Sequence, residues 1–128
     1  MSATITRATI FEDTAPTLMA RVVGNGAVNI TQSDFGGGGT ITVAVYKDGS
    51  TTATHTADLG VDDVVFDSLQ TDARWTADAT GYNFRHQIAA SVFSSGNSTY
   101  QIEFLFNPTS GEDWLVVFRV DTVETLTA

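Results

Sequence analysis

Apolar and polar residues alternate along most of this chain, and they almost never recur at helical spacing. In the segment "TLMARVV", for example, alternation places Leu18, Ala20 and Val22 on one face. Threonine and valine dominate these segments, and β-branched side chains fit a pleated strand better than a helix. Predicted strands cover residues 17–23, 27–31, 40–47, 51–57, 64–69, 82–88, 98–106 and 114–124.

Turn signals separate these strands and predict the fold class. Gly24–Gly26 and Asp48–Gly49 are typical of tight hairpin turns, whereas the glycine run 36–39 indicates a flexible loop. Only "AASVF", residues 89–93, suggests a helical turn. With no repeat or linker, residues 1–128 are expected to form one all-β domain, an antiparallel sandwich or barrel. Its core is predicted to centre on Phe104, Phe106 and Phe118.

The two ends of the chain lie outside the clear strand pattern. Residues 1–16 alternate only weakly, and residues 122–128 continue past the last strand. We expect both to be extended arms that could add a strand to the exposed sheet edge of a neighbouring molecule. Frayed termini are the alternative for both.

Charge and composition narrow the classes of partner. The net charge is −9, with six basic residues against fifteen acidic ones. A face that neutralises phosphates is therefore not expected, so neither nucleic acid nor an anionic membrane surface is a predicted partner. The chain has no cysteine, which excludes disulfides and thiolate chemistry. No signal peptide is visible, which predicts synthesis in the cytoplasm.

The stretch "RWTADATGYNFRHQI", residues 74–88, gathers the chain's rarer residue types. His86 could serve as a base only with a nucleophile such as Ser91 or Ser94 and an orienting acid such as Asp78. No nucleophile-elbow motif is present, and alternation places His86 on the apolar side of a strand. We therefore expect a packed histidine and no enzymatic activity, with a small hydrolase as the alternative.

Metal binding is not predicted either. His55 and His86 are far apart in sequence and lack a second ligand at a metal-binding spacing. The acidic segment "DLGVDDVVFD" does not match the spacing of a calcium loop. A solvated acidic loop is the preferred interpretation, and a weak Ca²⁺ site shared with a neighbouring subunit is the alternative. No cofactor is expected.

Aromatic and arginine side chains provide the candidate interface. Protein interfaces are enriched in tryptophan, tyrosine and arginine, and Trp75 next to Arg74 lies in a segment with little periodicity. A carbohydrate-binding module that uses Trp75 and Tyr82 is the alternative of another class. The predicted interface residues are Phe11, Arg74, Trp75, Tyr82 and Arg85.

Both ends of the chain resemble a known family. The segment "FEDTAPTLMARVVGNGAVNIT" resembles the start of the N-terminal domain of phage baseplate upper proteins, and "STYQIEFLFNPTSGEDWLVVFRVDTVE" resembles its final hairpin. The middle stretch resembles uncharacterised proteins of tailed-phage particles. The resemblance implies an immunoglobulin-like β-sandwich. The residues that match the opening pattern are Glu12, Asp13, Thr14, Pro16, Gly24, Gly26, Val28, Ile30 and Thr31.

The resemblance also implies a role in a virus particle. Baseplate upper proteins continue into further domains that hold receptor-binding proteins, whereas this sequence ends at Ala128. The expected function is therefore a non-enzymatic capsid decoration (cement) protein that braces the shell of a bacteriophage virion. Its expected partners are the major capsid protein and copies of itself. A tail or baseplate adaptor that binds tail or baseplate proteins is the alternative.

Overall fold

A computed structural model describes residues 5–126 of the chain. This part forms eight strands, a one-turn α-helix, Val61–Val64 (α1), and short 3₁₀ turns at Asn25–Ala27, Gln32–Phe35 and Ala90–Phe93. The last of these lies where the sequence predicted a helical turn. The strands are β1 (Ile5–Phe11), β2 (Thr17–Ala20), β3 (Thr40–Lys47), β4 (His55–Leu59), β5 (Val65–Gln70), β6 (Tyr82–Gln87), β7 (Thr99–Asn107) and β8 (Trp114–Val123).

The strands form two sheets that pack as a sandwich. A five-stranded sheet has the order β1-β8-β7-β3-β4, and a three-stranded sheet has the order β2-β6-β5. The predicted all-β sandwich is therefore confirmed. One pairing departs from the antiparallel expectation, because β1 runs parallel to β8, with Ile5 opposite Val117 and Phe11 opposite Val123.

The core lies between the sheets, and β7 and β8 supply much of it. Alternation along β7 buries Tyr100, Ile102, Phe104 and Phe106, as the sequence predicted. Phe84 from β6 packs edge-on against Phe104 and Phe106 with ring centroids 4.8 and 5.2 Å apart. Burying each such side chain stabilises the fold by about 1.5–3 kcal/mol. The aromatic contacts therefore join the two sheets directly.

The predicted arms are corrected in part. Residues 5–11 were expected to extend towards a neighbour, but they form β1 along the edge of the chain's own sheet. The backbone N–H of Glu12 continues this contact by donating to the carbonyl of Val123 at 2.9 Å. Thr122 and Val123 likewise belong to β8. Residues 12–16 and 124–126 of the predicted arms belong to no strand, and residues 1–4 and 127–128 lie outside the described residues.

Two predicted strands also require correction. Residues 27–31 do not form a strand, because a 3₁₀ turn begins the segment and only Val23 and Asn29 form an isolated bridge. After the turn at Asp48–Gly49, the return strand begins at His55 instead of Thr51. Both strands were predicted as short returns after a tight turn, and a turn signal alone does not specify where pairing begins.

Candidate interaction surface

The loop between β5 and β6, residues 71–81, is held together by two carboxylates. The first is Asp72, whose Oδ2 accepts hydrogen bonds from the Tyr82 hydroxyl at 2.7 Å and from Arg74 Nη2 at 2.9 Å. Its Oδ1 accepts from the backbone N–H of Arg74 at 2.8 Å. Arg74, followed by Tyr82, lowers the pKa of Asp72 well below its ordinary value because both donate to the ionised form.

The second carboxylate, Asp78, organises the end of the same loop. Its Oδ1 accepts from Trp75 Nε1 at 3.1 Å and from the backbone N–H groups of Thr80 and Gly81, each at 3.0 Å. Its Oδ2 lies 2.8 Å from Nη1 of Arg21. These donors, with the Gly81 N–H contributing most, lower the pKa of Asp78 to about 2. The loop is therefore a hydrogen-bonded unit.

Gly81 marks the point where this loop enters β6. Its φ of +107° lies in a region that side-chain-bearing residues rarely adopt. A Cβ atom added there would clash with the carbonyl oxygen of Gln70, the residue of β5 that pairs with Tyr82. Only glycine therefore fits at the point where the loop ends and β6 begins.

Tyr82 is not available to a partner, which corrects its assignment as an interface residue. It is 2% exposed, and its ring packs against Phe66 and Trp75 with centroid distances of 5.9 and 5.6 Å. Arg85 is also engaged within the domain, because its Cζ lies 5.1 Å from the centre of the Phe66 ring and its Nη1 donates to the Tyr82 hydroxyl at 3.3 Å. Tyr82 therefore cannot stack on a sugar as the alternative required.

Trp75 reaches a groove at the seam between the two sheets. The groove has a volume of about 440 Å³. We call it the seam groove and define it by five residues: Met19 and Val23 from β2 and the segment after it, Leu115 and Val117 from β8, and Trp75 from the loop. Val23 and Leu115 are 42% and 47% exposed, which is high for such apolar side chains.

The rim of the seam groove is polar. Arg21 and Asp78, which form the ion pair described above, line the groove together with Thr6 of β1. An apolar floor with a polar rim is the usual composition of a protein-binding patch. Asp78 also accepts a hydrogen bond from the indole N–H of Trp75, so the same carboxylate that pairs with Arg21 holds Trp75 in the groove.

The other predicted interface residues lie elsewhere. Arg74 and Arg85 line a separate, smaller cavity beside β6. Phe11 is 58% exposed at the far end of β1, about 16 Å along the strand from Thr6 at 3.3 Å per residue. The structure thus brings Arg74, Trp75 and Arg85 around Tyr82, but only Trp75 contributes to the seam groove.

The residues considered for catalysis and metal binding have other contacts. Asp78 is occupied by Arg21, Trp75 and the loop backbone, and within residues 5–126 no hydrogen bond joins it to His86. The His86 ring packs edge-on to Phe104 at 6.0 Å, and burial, followed by the nearby His55, lowers its pKa. In the same range, no three histidine, aspartate or glutamate side chains cluster in a way that could hold a metal ion.

Comparisons with family models, with curated proteins and with solved structures found no match for this chain. Within the described residues, no helix combines the length and apolar character needed to cross a membrane.

Sequence reasoning missed four of the five residues that define the seam groove. Leu115 and Val117 carried a signal, because both are apolar residues on the face of β8 opposite the core side chains Trp114 and Phe118. Met19 and Val23 carried none, since nothing in the sequence indicates that the end of β2 lies beside the start of β8.

The seam groove can bury an apolar segment of a partner and orient it through the polar residues at its rim.

Proposed function

We propose that this chain is a non-enzymatic structural protein of a bacteriophage particle, which decorates and braces the capsid by docking onto the major capsid protein. The seam groove is the observation that supports this mode of attachment, because Val23, Leu115 and Trp75 line it together in a molecule whose net charge is −9. The resemblance of both chain ends to phage virion domains supports the assignment to a bacteriophage particle.

The strand order supports the immunoglobulin-like part of the proposal. An order of β8-β7-β3-β4 facing β2-β6-β5 corresponds to strands G-F-C-C′ facing B-E-D of a variable-type immunoglobulin sandwich. Tyr100, the second residue of β7, accepts a hydrogen bond on its hydroxyl from the backbone N–H of Ser95, at 3.3 Å. A tyrosine at the start of strand F that bonds to the backbone a few residues upstream resembles the tyrosine corner of such domains.

Bracing follows from burying apolar surface at many equivalent positions of a shell. An apolar side chain or loop of the capsid protein would fill the groove between Trp75 and Leu115. Arg21 and Asp78 at the rim would restrict its orientation, since rim charges contribute more to specificity than to affinity. Each docked copy then adds interface area between neighbouring capsid subunits, and the gain is repeated around the particle.

Copy number in purified particles tests this function. Quantitative mass spectrometry should find the protein in a fixed ratio to the major capsid protein. A handful of copies per particle would instead place it in the tail or baseplate as an adaptor and overturn the capsid assignment. Its absence from purified particles would overturn a virion role altogether.

A further inference from the structure

A second groove lies on the outer face of the five-stranded sheet. It has a volume of about 540 Å³, and the turn after β3, residues 49–51, forms one wall. Asp48 and Gly49 at this turn both have positive φ, 51° and 77°, which produces the tight reversal. We call it the sheet groove and define its floor by Tyr46, Thr99, Gln101, Glu103 and Arg119. It shares no residue with the seam groove.

Three polar side chains form a chain of hydrogen bonds on this floor. Arg119 Nη2 donates to Gln101 Oε1 at 2.9 Å, and Gln101 Nε2 donates to Glu103 Oε2 at 2.6 Å. The strand register aligns Tyr46, Gln101 and Arg119 in one row across β3, β7 and β8. The network fixes the guanidinium and the carboxylate on either side of the amide, so the site is organised before any ligand binds.

Much of the hydrogen-bonding capacity of this row is unused by the protein. A guanidinium has five N–H donors, and the hydrogen bond from Arg119 to Gln101 is the one that the described residues provide. Within residues 5–126, Glu103 Oε1 accepts no hydrogen bond. The Tyr46 hydroxyl makes no hydrogen bond in this range either. Donors and acceptors are therefore available next to each other along one groove.

The charges favour a ligand without net charge. Arg119 has no carboxylate within ion-pair distance among the described residues, but Glu103 is joined to it through Gln101 and offsets its charge locally. The net charge of −9 on the whole chain disfavours the approach of an anion. The volume falls within the range of about 300–1,000 Å³ that is typical of small-molecule sites.

We infer that the sheet groove binds a neutral saccharide, through sugar hydroxyls bonded to Arg119 and Glu103 and a pyranose ring packed against Tyr46. A sugar hydroxyl can accept from the guanidinium and donate to the carboxylate at the same time, which matches the neighbouring donor and acceptor. An aromatic ring supplies the apolar contact that such ligands require. This activity goes beyond capsid docking and uses residues other than those of the seam groove, although Glu103 of the sheet groove pairs with Val117 of the seam groove.

Amide chemical-shift mapping tests the inference directly. The ¹⁵N-labelled protein is titrated with maltose, cellobiose and lactose as neutral probes and with glucuronate as an anionic probe. We expect at least one neutral disaccharide to shift the amide signals of residues 46, 49–51, 99–103 and 119, and glucuronate to shift them less. The inference is overturned if no neutral probe shifts these signals, if the shifts centre instead on Met19, Val23 and Trp75 of the seam groove, or if glucuronate binds more tightly.

Substitutions then separate the roles of the groove residues. Glu103→Gln removes the charged acceptor but keeps the shape, and it should weaken binding about tenfold, as expected for losing one charge-assisted hydrogen bond. Tyr46→Ala should weaken binding similarly, whereas Tyr46→Phe retains the ring and should bind more tightly than Tyr46→Ala. Leu115→Ala in the seam groove is the matched control and should leave binding unchanged. Unaltered affinity in both Glu103→Gln and Tyr46→Ala would contradict the inference.

Discussion

The side chain of Asn83 replaces a missing strand partner for the backbone of Val22. Its Oδ1 accepts from the Val22 N–H at 2.7 Å, and its Nδ2 donates to the Val22 carbonyl at 3.0 Å and to the Ile30 carbonyl at 3.4 Å. Strand β2 ends at Ala20, just before Val22, so the amide continues the contact with β6 where the ladder stops. Asn83 is 1% exposed.

Replacing this amide should destabilise the domain strongly. Asn83→Leu keeps a similar volume but leaves the N–H of Val22 buried without a partner, which costs about 1–3 kcal/mol. It also removes the side-chain hydrogen bonds to the carbonyls of Val22 and Ile30, although the Val22 carbonyl still accepts from the Ile30 N–H at 3.1 Å. We expect urea denaturation to show a loss of more than about 2 kcal/mol in the free energy of unfolding. Asn107→Leu, at an exposed position of β7, is the matched control and should change stability by less than about 0.5 kcal/mol. Equal effects of the two substitutions would contradict the role of Asn83.

The loop carboxylates should make stability depend on acid pH. The pKa of Asp78 is lowered to about 2 in the fold, whereas the unfolded chain has an ordinary pKa of 3.8. A lowered carboxyl pKa contributes stability that is present above pH 3.8 and is lost as the pH falls towards 2. Asp78→Asn should therefore lower the melting temperature at pH 7 and flatten its fall between pH 4 and 2. A variant that melts with the wild-type pH dependence would refute this assignment, and Asp62→Asn in α1 serves as the control.

His86 should contribute a second pH dependence at higher pH. Burial, followed by the charge of His55, lowers its pKa in the fold below the ordinary 6.5. As the pH falls, His86 therefore binds a proton more readily in the unfolded chain than in the fold. The stability that depends on neutral His86 is present above pH 6.5 and is lost as the pH falls below it. We expect the urea midpoint of the wild type to fall between pH 7.5 and 5.5 by more than that of His86→Gln. The same fall in both proteins would show that His86 is not responsible.

Trp114 should tolerate replacement by phenylalanine better than its burial suggests. The indole packs against Phe106, with nearly parallel rings 5.9 Å apart, and closes over Gly24. Its Nε1 has no hydrogen-bond partner among the described residues, so Trp114→Phe removes no hydrogen bond. We expect a loss of about 1–2 kcal/mol on chemical denaturation, against about 3–5 kcal/mol for Trp114→Ala. Comparable losses would indicate that the indole N–H contributes an interaction of its own.

The sequence predicted most of the fold because alternation reports directly which side chains are buried. Along β7 every second residue from Tyr100 to Phe106 is buried, as the pattern indicates. The parallel pairing of β1 with β8 was missed because strands joined in parallel share no hairpin turn that could reveal them. Asn83 was missed for a different reason, since a polar residue on a strand ordinarily predicts a solvent-exposed position.

The candidate site was predicted only in part. Arg74, Trp75 and Arg85 do lie around Tyr82, as their proximity in sequence suggested. The residue types arginine and tryptophan favoured an interface, but they did not indicate that Asp72 binds Arg74 and that Asp78 binds Trp75 within the domain. The seam groove depends on contacts between segments about a hundred residues apart, and no local pattern encodes such a contact.

Binding to capsid shells that lack this protein tests the central claim most directly. In co-sedimentation, the wild-type protein should pellet with the shells, whereas Leu115→Asp should remain in the supernatant because it places a charge in the seam groove. Val28→Asp is the matched control, since Val28 is 66% exposed and lies outside this groove, and it should pellet like the wild type. Undiminished binding of a folded Leu115→Asp variant would contradict docking through the seam groove.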